Sequence, residues 1–554
     1  MDRLLSNNNL TTQPNEIKSA LNNHFQDYFK ELPYTPIDTN SPFSDLYKPH
    51  PENEHLFQNL LSEITSDEWS KIIKELPNNK AAGLSETNYK HIKMLNPKSQ
   101  NIVRLFLSQC LSLQSIPLEW KTSNLFLIPK KSSWDFTLDQ VRPISLIELL
   151  KKCLTKVFTT CLDQIINQHH LLSDLNFAAT KNCSTHTPIQ ILLNTIEHYK
   201  NNNKEAWILF QDMSKAFDKI NINRLIDSCK RISIPQEALN FIKFLHQDRK
   251  VKTITAYGLT DPISLYSGIE QGETFSSLLW KIYYDPILSY INNKHKSKFL
   301  KIKSNSPLDL IFSNKPQSIT IPPLAFMDDT VWHCESRENL QEILQDVSEL
   351  YQLNNIQVNP LKSDLLHISK SKTSQTNTTP NHSLLFKNQQ ILPRKPDETI
   401  RYLGIFLDGN GSSKPTINII TNKINQFTNL IKFKKLLPIH ISRLFNTILS
   451  PAIEYLLQIC SLPQKKINQL SSTLTKNTKH ILHLSTNTNN DILTNPQLLN
   501  IPTLNKLLLL TNSSNINRCL NSNELLTQIT LSHIKEWLTK IWQPTLTKKT
   551  ILSN

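Results

Sequence analysis

The run Leu324-Ala-Phe-Met327-Asp328-Asp329-Thr-Val-Trp332 sets two adjacent acids between two apolar triplets. An ordinary solvated loop has no reason to carry apolar residues on both sides of its charges. The pattern predicts a β-hairpin tethered in a sheet, its tight turn carrying both carboxylates. Adjacent carboxylates in a partly buried turn repel one another, and a cation relieves that repulsion. A hard divalent ion suits oxygen ligands and keeps positions for substrate phosphates. Upstream, the apolar run Ala206–Phe210 leads through Gln211 directly into Asp212. If that run is a strand beside the hairpin, Asp212, Asp328 and Asp329 converge. They could then hold two ions about 3.5–4 Å apart, the arrangement that activates an attacking oxygen and stabilises a leaving one in phosphoryl transfer.

Taken singly, these motifs have bland readings. An Asp-Asp pair is most often a surface turn, and Asp212-x-x-x-Ala216-Phe217-Asp218 reads equally well as a helix N-cap. What lies between them changes the balance. Gly268-Ile-Glu-Gln271-Gly272 precedes Ser276, Ser277 and an apolar helical run, and the chain has only seven glycines. Glycines so scarce mark backbone conformations or close approaches that other residues cannot supply.

Together these stretches resemble a reverse transcriptase, specifically the polymerase of a non-LTR (LINE-type) retrotransposon. Gln211–Ile220 resembles its motif A, Gly268–Ile287 its motif B and Ala325–Thr330 its motif C. Asn79-Lys-Ala-Ala-Gly83 looks like an upstream element. Trp120-Lys121, Leu127–Lys130 and Val141–Leu146 look like fingers strands, and His170–Phe177 like the segment before motif A. Val358-Asn359-Pro-Leu-Lys362 is similar to motif D, and Arg401-Tyr402-Leu403-Gly404 to the motif E primer grip. Ile17, His24, Phe25 and Phe29 look like the linker that precedes the polymerase in such elements. The resemblance implies an α+β right-hand polymerase, fingers and palm with an antiparallel sheet, then a mainly helical thumb or extension. Its boundaries would be a linker at 1–78, fingers and palm at 79–408, and thumb and extension at 409–554.

The resemblance also implies roles. Asp212, Asp328 and Asp329 would be the ligands of two Mg²⁺ ions (Mn²⁺ being an alternative), with Asp212 and Asp328 the more critical pair. Phe217 would be a steric gate against a 2′-OH, with Asp218 structural. Gln271 and Gly272 would line the nascent base pair. Lys130 and Arg142 would bind the incoming triphosphate, Arg through its fixed fork of donors. Lys362 is either a general acid for departing pyrophosphate or a surface lysine. Tyr402, Leu403 and Gly404 would form the primer grip. The partners would be an RNA template, a DNA primer and dNTPs, and the setting nuclear.

Charge agrees with such partners. The net charge is +15, and from Lys414 onward 16 basic residues face only 4 acidic ones. That imbalance points to contact with a polyanion, or to a Lys-rich solvated face in a codon-biased genome. No apolar stretch is long enough for a membrane span, and the start has no apolar core of a signal peptide. Eight scattered cysteines without a CxxC pair argue against disulfides and a zinc knuckle. Helices are expected over Ile17–Leu32, Leu56–Leu76 and around Leu340, Ile343, Leu344, Val347 and Leu350. Strands are expected at Leu125–Ile128, Ala206–Phe210, Leu324–Phe326 and Ile400–Phe406, a polar loop at 370–382, and helices after Gly411 to Trp542 before a short tail.

Several positions depart from the family pattern. Glu270 stands for the usual Arg, Glu273 for Asp, Thr274 and Phe275 for Pro and Leu, and Ser277 for a second Pro. Ser85 replaces Asp, and Asn176 replaces the Gly before Phe177. Losing a base beside the template suggests altered template handling. The alternative reading is therefore an impaired retrotransposon remnant that only binds nucleic acid. A maturase or telomerase-like polymerase fits Lys215-Ala-Phe-Asp218 and Tyr402-Leu-Gly404 less well. The chain resembles a portion of a longer polyprotein, beginning in what looks like the linker after an endonuclease.

Overall fold

The computed structural model mixes helices with strands that pair mainly antiparallel. Residues 1–6, 9–38, 40–78, 80–131, 133–178, 180, 183–303, 318–358, 362–369, 383–408, 413–459 and 462–540 are described. Asn79, Asn359, the loop 370–382, Gly409, Gly411, Cys460 and Trp542 with the tail lie outside them, as does the side chain of Trp537.

In chain order the strands are β1 (Leu4–Ser6), β2 (Asn9–Thr11), β3 (Thr122–Pro129), β4 (Val141–Leu146), β5 (Ala206–Gln211) and β6 (Arg249–Thr255). They continue as β7 (Gly258–Leu259), β8 (Ile263–Leu265), β9 (Lys301–Lys303), β10 (Ser318–Thr320), β11 (Leu324–Phe326) and β12 (Asp329–Cys334). The last five are β13 (Asp364–Ile368), β14 (Leu384–Phe386), β15 (Gln389–Ile391), β16 (Thr399–Tyr402) and β17 (Ile405–Asp408). The chain divides into two compact units, one of residues 1–181, 212–294 and 345–359, the other of 182–211, 295–344 and 360–554.

The first unit is built on the sheet β4-β3-β6-β7, with β8 also on β6; β3 runs antiparallel to β4 and parallel to β6. Helix α1 (Pro14–Tyr28) starts with Pro at its first turn, where no amide donor is needed. Its Ile17, Leu21 and Phe25 bury against Leu125, Val141, Val251, Ile263 and Leu265 in one core. Removing those side chains from water contributes roughly 1.5–3 kcal/mol each. The expected helix over Leu56–Leu76 is instead a short 3₁₀ segment followed by Ser66–Glu75. The break has a local cause: Thr65 and Glu68 form a reciprocal capping box that starts a helix afresh. Helix α1 likewise ends at Tyr28 rather than Leu32.

The second unit carries the four-stranded sheet β11-β12-β5-β13, antiparallel at every pairing. β5 is central and wholly buried, which explains why Ala206–Phe210 reads as an unbroken apolar run. Leu340, Ile343 and Leu344 are buried on the helix Arg337–Leu353. The expected strand Ile400–Phe406 is two strands, β16 and β17, reversed at Leu403-Gly404. Both turn residues have positive φ, +45° and +90°, as a two-residue hairpin of matching twist requires. After Lys414 the chain is helical among the described residues, and Ile420, Ile424, Phe445, Ile453, Leu457, Ile467 and Leu504 share a separate core. No helix among the described residues is long and apolar enough to cross a membrane.

Candidate active site

The acidic hairpin forms as expected, with one correction. Leu324 pairs with Val331 and Phe326 with Asp329, so the two turn residues are Met327 and Asp328. Asp329 is therefore the first residue of β12, and only Asp328 sits in the turn. Met327 adopts φ +54°, which costs a residue with a Cβ about 1–2 kcal/mol. Leu324, Ala325, Val331 and Trp332, all fully buried, hold the turn in that conformation. Next to it, β12 pairs with β5, Thr330 opposite Gln211 and Trp332 opposite Leu209. The Trp332 indole N–H donates to Gln211 Oε1 at 2.7 Å inside the sheet, which pins the register one residue before Asp212. Neither Trp332 nor Gln211 was a sequence candidate.

In the first unit, Met213 bridges Val358 and the Ser214 amide donates to the Gln357 carbonyl at 2.7 Å. The chain then turns through Lys215 to Lys219. Phe217, half-buried, stacks on Trp280 with ring centroids 5.8 Å apart and planes 25° apart. Asp218 points inward and is only 3% exposed.

The glycine loop is tied down along its length. The amides of Gly268 and Ile269 donate to the carbonyls of Ile220 and Phe217, at 2.9 and 2.8 Å. Arg249, buried, donates to the carbonyls of Ser267 and Gly268. The Ser145 amide of β4 donates to the Gln271 carbonyl, and Gln271 Nε2 donates to Asp218 Oδ2 at 2.7 Å. Gly268 has φ +81°, and a Cβ there would lie 2.7–2.9 Å from the Asp218 backbone. Strain and clash add, so Gly268→Ala is expected to destabilise the fold by about 3 kcal/mol. Urea unfolding measures this, and a loss below about 1 kcal/mol would contradict the close approach.

Glu270, which the resemblance sets at a position where Arg is usual, does not face outward. Its carboxylate pairs with Lys151 at 2.8 Å, and the two side chains are 4% and 1% exposed. Burial works against its charge, but Lys151 and Arg249 outweigh that and hold the carboxyl below the usual range. Glu273, bonded by the Thr155 hydroxyl, is pushed up by burial and by the negative Glu270 beside it. The unusual acid is thus matched by a buried base within the protein. Lys151→Met is expected to destabilise by about 3–5 kcal/mol because Glu270 is left unpaired. Lys151→Met with Glu270→Leu should recover most of that stability in thermal melts, whereas additive losses would show that the pair is not coupled.

Lys130 and Arg142 come near one another on the β3–β4 hairpin. Ile128 pairs with Arg142, Lys130 follows the end of β3, and both basic side chains are exposed. Lys130 Nζ donates to the Asp139 carbonyl at 3.0 Å. Gly272, φ +105°, lies against Ile144 and Ser145 of β4, so its loop and that hairpin belong to one local assembly. Lys362 is exposed, just before β13. Tyr402 is buried, its ring 5.3 Å from Phe210, and Tyr455 donates to the Leu403 carbonyl at 2.9 Å, bracing the Leu403-Gly404 turn.

The donors at the acidic hairpin are carboxylate oxygens, a chemistry that fits a hard divalent ion. Among the described residues, no three His, Cys, Asp or Glu side chains form a ready-made metal group.

Comparison with known proteins adds an independent line. Residues 128–407 match the family of reverse transcriptases (RNA-dependent DNA polymerases). The chain is 24% identical over 220 residues to a probable RNA-directed DNA polymerase from transposon BS of Drosophila melanogaster, covering 40% of this chain and 24% of that protein. It is 24% identical over 306 residues to a retrovirus-related Pol polyprotein from the type-1 retrotransposable element R2 of Nasonia vitripennis, covering 55% and 28%. It is 23% identical over 224 residues to the RNA-directed DNA polymerase from mobile element jockey of Drosophila melanogaster, covering 40% and 24%. The chain thus spans about a quarter of the length of these relatives.

Proposed function

The chain belongs to the reverse transcriptase family, in its non-LTR retrotransposon branch, and from that premise we propose that it is an RNA-directed DNA polymerase. It extends a DNA primer on an RNA template, joining the primer 3′-OH to the α-phosphate of a dNTP with loss of pyrophosphate. The observation that carries this reading is the acidic hairpin β11–β12, paired through β12 with the strand that ends one residue before Asp212.

Asp212, Asp328 and Asp329 would hold two divalent ions, Mg²⁺ or Mn²⁺. When bound, such ions polarise the attacking oxygen and neutralise charge on the leaving one. Lys130 and Arg142 grip the triphosphate, the one as a point charge and the other as a fork. Gln271 and Gly272 face the nascent base pair, and Phe217 closes the space beneath its sugar. Lys362 protonates the departing pyrophosphate. Tyr402, at the end of β16, and Leu403 and Gly404, in the two-residue turn after it, set the height of the primer strand. On this reading residues 79–408 are fingers and palm, 1–78 an amino-terminal extension, and 409–554 the thumb and its extension. The thumb presents Lys432, Lys434, Lys435, Arg443, Lys465 and Lys466 to solvent, a basic surface suited to phosphates. Activity on chromosomal DNA would place the protein in the nucleus.

The test is primer extension on an RNA template annealed to a DNA primer, with dNTPs and Mg²⁺ or Mn²⁺. Template-dependent extension is the expected result. Salt-sensitive binding of the template–primer with no extension under either ion would replace this reading with that of a nucleic-acid-binding remnant.

A further inference from the structure

The hydroxyl of Tyr28, on α1, donates to Asp218 Oδ2 at 2.7 Å, the same oxygen that accepts the Gln271 amide. The three residues are far apart in sequence and belong to three elements: the amino-terminal helix, the turn after β5 and the glycine loop. We propose that Asp218 is a positioning residue for Gln271 and that Tyr28 locks it, so that α1 takes part in setting nucleotide affinity. This rests on the reading of Gln271 as a residue that faces the nascent base pair.

The chemistry of the bonds supports the assignment. An ionised carboxylate only accepts, so it orients the Gln271 amide, with Nε2 toward Asp218 and the carbonyl Oε1 turned away. A free glutamine at the edge of a loop would lose that preference and sample several rotamers, with a cost in affinity each time nucleotide binds. Tyr28 in turn has little freedom. Its ring is flanked by Lys215 Nζ at 4.2 Å and Lys219 Nζ at 5.2 Å from the centroid, and Lys219 also donates to the Tyr28 carbonyl. Burial pushes the Asp218 carboxyl up to about 6, while the bonds from Tyr28 and Gln271 and the two lysines pull the other way. Burial alone opposes the Asp218 charge, and the two side-chain donors and two lysines support it. Its two donors account for its presence, and one of them is a residue at the substrate.

The test is single-nucleotide incorporation by the full chain on an RNA template and DNA primer, with kcat and KM for dNTP measured separately and melting temperatures followed alongside. Gln271→Ala and Asp218→Ala are each expected to raise KM about ten-fold with kcat changed less than about three-fold, and Tyr28→Phe to raise KM about three-fold. Asp218→Asn keeps an acceptor oxygen and should recover most of the loss seen with alanine. Tyr28→Phe added to Gln271→Ala should raise KM no further, because the relay has lost its end. If Gln271→Ala raises KM while Tyr28→Phe and Asp218→Ala change only the melting temperature, the relay is overturned and the polymerase reading stands. If the wild-type chain incorporates nothing, the polymerase reading falls and takes this inference with it.

Discussion

Asp328→Asn is expected to lower RNA-templated extension at least about 1,000-fold, which corresponds to about 4 kcal/mol of lost transition-state stabilisation. The substitution keeps the size of the side chain and removes only its charge. It acts at the second turn residue of β11–β12, the one acidic position whose backbone is part of neither strand. The hairpin should survive, because Leu324, Ala325, Val331 and Trp332 hold it from beneath and none of them is altered. Template–primer binding measured by filter retention should therefore stay within about two-fold, since on the proposed reading it rests on phosphate contacts made elsewhere. Asp329 differs in place, being paired with Phe326 at the start of β12, and Asp329→Asn should cost less, about 10–100-fold. Single-turnover rates separate the two. Retention of activity within ten-fold in Asp328→Asn would remove Asp328 from the chemistry.

What could be read from the sequence, and what could not, follows from the range of the forces involved. Asp328 and Asp329 were legible because a hairpin is a local object: apolar triplets on either side of two acids fix both strands and turn. Even so, the sequence assigned both acids to the turn, and only the pairing of Phe326 with Asp329 shows that the second belongs to a strand. The Leu56–Leu76 error is also local. Thr65-x-x-Glu68 is a capping signal present in the chain, and apolar periodicity on both sides of it masked the break. Leu403-Gly404 likewise carried its turn signal inside an apolar run. The contacts that tie the site together are of another kind. Tyr28 reaches Asp218 across 190 positions and Lys151 reaches Glu270 across 119. No periodicity links such partners, so Glu270 read alone suggested a lost positive charge at the template. With Lys151 beside it, the same residue is one half of a buried pair.

Phe217→Ala is expected to reduce the preference for dNTP over rNTP by about 100-fold, read as the ratio of kcat/KM values with matched nucleotides. A ring can exclude a single hydroxyl only if it cannot move aside, and Phe217 lies flat on Trp280, which is fully buried and itself stacks on Tyr284 at 5.6 Å and 20°. The backbone is equally fixed, because the Phe217 carbonyl accepts from Ile269 and the next residue is the bonded Asp218. Displacing the ring by the size of an oxygen atom would break stacking worth about 0.5–1.5 kcal/mol and strain that turn. On the proposed reading of Phe217 as a steric gate, a 2′-OH would meet this ring in the wild-type chain and open space in the alanine variant. Because Phe217 is half-buried, part of the effect of alanine is on stability, so Phe217→Val serves beside it and melting curves accompany both. The diagnostic is the direction of change for each nucleotide. Incorporation of dNTP should fall or hold while incorporation of rNTP rises in absolute terms, which lost packing cannot produce. Equal declines for both nucleotides would make Phe217 a packing residue and leave the choice of sugar to another side chain.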